Sequence, residues 1–264
     1  MTSNIQLPTL NVTRYILPLR EGGSLPAIAE ADDDNKYVLK FRGAGQGVKA
    51  LIAELIGGEV ARALQLKTPG LIFANLDEAF GRTEPDPEIQ DLLKASRGLN
   101  LGMQFLSSAI TFDPSVTEVS SEIASQIVWL DAYLTNVDRT PRNTNMLIWN
   151  KELWLIDHGA ALYFHHAFTD TEGHAKSSFA MIKDHVLLKQ ATQLNEVDDQ
   201  FKNILTNDVL KAIVDLIPDD WLQWQEIDMS PQEIKATYLK FLMVRLENSA
   251  NFVQQADHAR NALS

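Results

Sequence analysis

The chain has 264 residues, 45% of them apolar, and its 23 Lys and Arg against 35 Asp and Glu give a formal net charge of -12. This is enough apolar material for one large domain or two modest lobes, and the acidic balance makes the chain a poor candidate for tracking a phosphate backbone over a long surface while leaving room for a local cationic pocket for one nucleotide. The lack of cysteine excludes disulfides, thiolate metal sites and a thiol nucleophile.

The opening stretch MTSNIQLPTL lacks the basic start and apolar block of a signal peptide, and no run approaches the ~18 apolar residues of a membrane span, so a cytoplasmic location is expected. RYILPL, PAIAEA and YVLKF then predict three strands, separated by the glycine turn EGGSLP and the acidic turn DDDNK. After GAGQG, apolar residues at helical spacing (Leu51, Leu55, Val60, Leu64) predict a helix that Thr68-Pro69-Gly70 stops. GLIFANL is a further short apolar run. Residues 77–96 are acidic and proline-punctuated with a helical second half, and read as a surface insertion. LNLGMQFL (99–106) returns to apolar character.

The chemistry changes near residue 105. SEIASQIVWLDAYLTN predicts a helix, and MLIW and LWLI predict a short hairpin turning through Asn150 and Lys151. A loop through HHAFTDTEG leads to helices that continue to the end. The last begins with Ser230 in capping position and Pro231 at the first helical position, and reads as one helix through Arg260. The expected class is α+β, with a strand-rich part over 1–104, built on an antiparallel sheet, and a helix-rich part over 105–264.

Polar knots bracket the hairpin: NVDRTPRN before it and DHG after it. Phosphoryl transfer needs a carboxylate to take or orient the nucleophile's proton, oxygen ligands for Mg²⁺, and cations on the phosphates. Asp138 with Asn143 five residues on supplies a base and a metal ligand on one loop, and Asp157, opening the sole Asp-x-Gly, supplies the second metal ligand after the hairpin. Asp-x4-Asn alone is a weak signal, since Asp131 with Asn136 and Asp198 with Asn203 repeat it. Order adds weight. Lys40 lies in an otherwise apolar strand and requires an anionic partner or an exposed edge. Glu54 on the next helix is the preferred partner, with Glu59 as the competing choice. Gly22, Gly23 and Ser24 precede Lys40 by one hairpin and offer backbone N–H groups to phosphates.

On GGSLP, YVLKF, AELIGGEVARALQL, the run Asn136 to Asn143 and LIDHG, the chain resembles the HipA-like kinases, in particular the short kinase-domain proteins among them. The resemblance implies a two-lobed protein-kinase-like fold that binds ATP and phosphorylates Ser or Thr. By the same likeness Asp138 is the catalytic base, Asn143 and Asp157 are Mg²⁺ ligands, Lys40 is the phosphate clamp, and LNLGMQFL holds adenine. Relatives often have His where this chain has Thr140; Arg142 is the candidate replacement cation.

Two other readings stand beside this one: a small-molecule or lipid-head-group kinase on the same fold, and a non-catalytic nucleotide-binding interaction module. The acceptor is not written in the sequence, and a partner protein encoded nearby is an expectation of family analogy alone. The histidines 158, 165, 166 and 174 match no zinc spacing. Trp221 and Trp224 sit in acidic surroundings that suit packing between helices better than stacking on bases.

Overall fold

The computed structural model describes residues 5–19, 25–77 and 85–263. Strands β1 (Thr9–Pro18), β2 (Ala27–Ala31), β3 (Lys36–Lys40), β4 (Leu71–Leu76) and β5 (Gly98–Gln104) close into a barrel in the order β1-β2-β3-β5-β4. Four of its pairings are antiparallel, whereas β1 and β4 pair in parallel. That fifth pairing turns the expected antiparallel sheet into a closed one. It depends on β1 beginning at Thr9, ahead of the apolar RYILPL run, where exposed polar residues mask the strand. Gly102 is required in β5, since a Cβ there would meet Ile72 Cγ1 at 2.6 Å.

Helix α1 (Gly47–Ala63) is buried on all sides from Leu51 to Ala61 because it lies between the barrel and the helical part. Helix α2 (Pro87–Ala95), capped by Asp86, is the helical half of the segment read as a surface insertion. It is more than surface: Ile89 and Leu93 join the barrel core with Val12, Leu39 and Ile72.

The second part contains β6 (Ile110–Thr111), α3 (Ser121–Leu134), β7 (Met146–Trp149), β8 (Glu152–Leu155), α4 (Thr171–Lys176), α5 (Leu194–Ile204), α6 (Asn207–Asp215), α7 (Pro231–Glu247) and α8 (Ala250–Asn261). β7 and β8 form the expected hairpin, and positive φ at both Asn150 and Lys151 (50° and 65°) matches the twist of two-residue hairpin turns. Its core centres on Trp129 of α3, stacked on Tyr133 at 5.0 Å with Phe201 and Phe252 edge-on. The terminal helix read as continuous breaks into α7 and α8. At the break Asn248 bonds back to the Val244 carbonyl, and buried Ser249 turns its hydroxyl to Asp198 at 3.0 Å. Among the described residues no helix is long and apolar enough to cross a membrane.

Residues 219–224 fasten the two parts. Arg42, just beyond β3, pairs with Asp220 at 2.5 Å, Trp221 donates its indole N–H to the Leu99 carbonyl at 2.9 Å, and Lys49 of α1 lies 4.6 Å over the Trp224 ring. Both tryptophans therefore pack against protein, as their acidic surroundings suggest.

Candidate active site

Strand β3 alternates, sending Tyr37 and Leu39 into the barrel and leaving Lys40 on the face toward α1. Its Nζ lies 2.6 Å from Glu54 Oε2 and 2.6 Å from Asp157 Oδ1. The competing Glu59 is buried and engages Arg62 at 3.2 Å. Burial alone would pull the Lys40 ammonium down, but the charges of Glu54 and Asp157 outweigh it and hold the group above the usual lysine range. Burial drives Glu54 up despite Lys40, whereas at Asp157 the desolvation is overcome by Lys40 and the carboxyl is held below its usual range. One ammonium thus bridges the strand-rich part, its helix and the segment after the hairpin.

The loop between α3 and β7 is built by its own side chains. Thr140 and Asn143 exchange backbone hydrogen bonds at 2.9 and 3.1 Å, and Thr140 Oγ1 also accepts the Asn143 N–H at 3.4 Å. This tight turn brings Asn143 back onto Asp138: its Nδ2 donates to Asp138 Oδ2 at 2.8 Å, and Asn145 Nδ2 adds a second bond there at 3.2 Å. Asn136 Oδ1 accepts the Asp138 N–H at 3.2 Å. Asp138 Oδ1 carries no hydrogen bond among the described residues and is the oxygen able to receive a proton. Thr140 thus has a loop-closing role. Arg142, the candidate replacement cation, is exposed and lies outside the cleft lining.

The neighbouring Arg139 is instead fully buried. Its Nε meets Asp131 Oδ2 at 2.5 Å, and its Nη1 donates to the carbonyls of Asn145 and Ile156. Sequence reasoning missed Asp131 and Arg139 as parts of the site. The signal was present in Asp131-x4-Asn136, whose side chains meet at 2.9 Å.

Asp157 has φ of 57°, a left-handed conformation that Asp tolerates better than most residues. The turn drives His158 into the core against α1, where a Cβ at position 57 would lie 2.5 Å from the His158 Cβ, so only glycine fits there. Gly57 and Glu54 are one helical turn apart on the same face of α1, and this close approach lets Glu54 reach both Lys40 and the chain at 157–159. Burial, aided by the charge of Arg139, pushes the His158 imidazole down to about 3. Burial likewise lowers His165 and His185.

A buried histidine whose folded pKa lies below its unfolded value of about 6.5 leaves the unfolded chain to take up the proton first. Its stabilising effect is therefore full above about pH 6.5 and is lost as pH falls toward the folded value, about 3 for His158. Urea unfolding at pH 7.5, 6 and 5 is expected to show stability falling across this window, with His158 alone accounting for about 2 kcal/mol by pH 5. A flat profile would contradict the neutral, buried assignment.

Lys40, Asp138, Asn143, Asp157 and Gly159 line one cleft, roofed by Ala44, Gln46 and Gly47 of the GAGQG stretch. That roof was not anticipated, since a small-residue stretch between strand and helix reads as a plain connection. Gly22, Gly23 and Ser24 lie outside the described residues. Among the described residues no three His, Asp or Glu side chains converge into a ready-made metal cage. The donor set still fits Mg²⁺: with Asn143 Nδ2 committed to Asp138, its carbonyl oxygen remains for a hard cation beside the half-exposed Asp157 carboxylate. Mg²⁺ takes one or two such ligands and completes its shell with water and phosphate.

The sequence profile described as HipA-like kinase matches residues 12–255. No curated protein matches the chain. Among solved structures, the proinflammatory kinase CtkA of Helicobacter pylori is similar at a TM-score of 0.54 and 13% identity, over 97% of this chain and 100% of that one. A Golgi casein kinase with Mn and ADP bound is similar at 0.50 and 10% identity, over 98% of this chain and 76% of that one. At these identities the two structures speak for the fold.

Proposed function

This chain belongs to the HipA-like kinase family, and we propose that it transfers the γ-phosphoryl group of ATP, bound with Mg²⁺, to a serine or threonine hydroxyl of a protein. Family and fold together support a kinase-type phosphotransferase. The observation that carries the finer reading is the bridge of Lys40 to Glu54 and Asp157, 2.6 Å each, in the cleft that also presents Asp138 and Asn143. In the protein-kinase arrangement such a strand lysine, metal-binding oxygens and a base face one space.

In this reading the cleft separates an N-lobe of residues 1–104 from a C-lobe of residues 105–264. Lys40, oriented by Glu54, neutralises phosphate oxygens. Asp138 accepts the hydroxyl proton on Oδ1 as the acceptor oxygen attacks the γ-phosphorus and the bond to the ADP oxygen breaks. Asn143 and Asp157 hold Mg²⁺, which when bound offsets charge on the phosphate oxygens. A protein acceptor is supported by analogy with the casein kinase neighbour, whose name denotes one.

Intact-protein mass after incubation with ATP and Mg²⁺, alone and with cell extract, tests the proposal beside Asp157→Ala. A phosphate-sized gain on a protein is expected with the unaltered chain and not with the variant, whose Mg²⁺-dependent ATP binding should also weaken. A nucleotidyl-sized gain would replace phosphoryl by nucleotidyl transfer. No gain on any protein, with ATP binding intact, would remove the protein acceptor.

A further inference from the structure

His185 lies outside every motif of the site, yet it closes the buried network beneath it. It follows a short 3₁₀ turn (Ala180–Asp184) and is buried. Its Nδ1 accepts the Leu187 N–H at 3.0 Å, so in the neutral ring the proton sits on Nε2. That nitrogen lies 2.9 Å from Asp131 Oδ2 and donates to it. The next residue, Val186, donates its backbone N–H to the Arg139 carbonyl at 3.1 Å. Residues 185–187 therefore grip the Asp131–Arg139 pair at both the side chain of one partner and the backbone of the other.

From this pair the connections run in two directions. Asp131 Oδ1 holds Asn136, which in turn accepts the backbone N–H of Asp138. Arg139 donates to the carbonyl of Asn145, whose side chain binds Asp138, and to the carbonyl of Ile156, the residue before Asp157. The proposed base and the proposed metal-binding carboxylate thus hang from one buried ion pair, and His185 is the neutral donor that completes the hydrogen bonding of its carboxylate.

We propose that His185 is a positioning residue for phosphoryl transfer, acting through Asp131 and Arg139 to fix the spacing of Asp138 and Asp157. The inference rests on the kinase reading for its rate effect, but its structural half stands apart from it. Two variants separate the ring's nitrogens. His185→Gln places an amide nitrogen where Nε2 donates to Asp131; His185→Asn reaches only the Nδ1 position.

The expected result is a loss of roughly 10- to 100-fold in kcat for His185→Asn, with KM for ATP changed by less than about threefold, because His185 is not among the residues lining the cleft. His185→Gln should recover most of the rate. Amide hydrogen exchange at Asp138, Asn143, Asn145 and Ile156 should quicken in the Asn variant and stay near the unaltered pattern in the Gln variant. Equal loss in both variants, full activity in the Asn variant, or a loss explained by a lower Tm without faster exchange at these amides would overturn the assignment. If the unaltered chain transfers phosphate to nothing, the kinase reading fails, while the exchange comparison still decides whether His185 holds the loop.

Discussion

Asp138→Asn is expected to lower kcat for phosphoryl transfer by about 10²- to 10⁴-fold, the usual contribution of a positioned general base. The substitution keeps the size of the side chain and one carbonyl oxygen for the bonds that Asn143 and Asn145 now make to Oδ2. What disappears is the carboxylate oxygen that carries no other partner among the described residues and can take the hydroxyl proton. Asp138 belongs to the acceptor side of the proposed chemistry, so KM for ATP should stay within a few-fold of the unaltered enzyme. Steady-state kinetics beside nucleotide binding measure both quantities. A variant that keeps its kcat would move the base elsewhere; one that loses ATP affinity by the same factor as rate would make Asp138 a binding residue.

Arg139→Met is expected to destabilise the fold by about 3–5 kcal/mol, the cost of leaving one member of a buried pair without its counter-charge. Both side chains are fully shielded, and the pair meets at 2.5 Å. Asp131 would keep His185 and Asn136 as hydrogen-bond donors, but neither brings a charge while His185 is neutral. In the same step the Ile156 carbonyl would lose its Arg139 donor, and the Asn145 carbonyl would keep only the Ile156 N–H. A double variant, Asp131→Asn with Arg139→Met, should recover part of the loss because no buried charge remains. Urea unfolding of the single and double variants tests this. Additive losses would mean that the pair is not coupled.

These two aspartates also show where the sequence was legible. Asp-x4-Asn occurs at 131, 138 and 198, and three different structures result. Asp138 with Asn143 and Asp131 with Asn136 both close a side-chain hydrogen bond, the first across a tight loop turn and the second across the end of α3, where left-handed Thr135 turns the chain back onto the last helical turn. Asp198 and Asn203 both lie within α5, where five residues place them about 140° apart around the axis. Asp198 therefore serves Trp129 and Ser249, while Asn203 bonds to the Asp199 carbonyl. Strand Lys40, helix Glu54 and the Asn150-Lys151 turn could be read because each declares itself by local pattern: a lone charge in an apolar strand, an acid on the next helix, a two-residue turn between apolar runs. The parallel β1–β4 pairing, the burial of Arg139 and the grip of His185 on Asp131 carry no local signature. Arg139 is written like any loop arginine, and His185 finds its partner 54 residues away.

Distance along the chain gives the fastening by residues 219–224 a consequence in time. Arg42 finds Asp220 178 residues later. At a synthesis rate of about 5–20 residues per second, roughly 10 to 35 s separate the two. Lys40, Glu54, Asp138, Asn143 and Asp157 have all left the ribosome before Trp221 is made to meet the Leu99 carbonyl. A nascent chain therefore carries every proposed catalytic residue while the fastening by residues 219–224 does not yet exist.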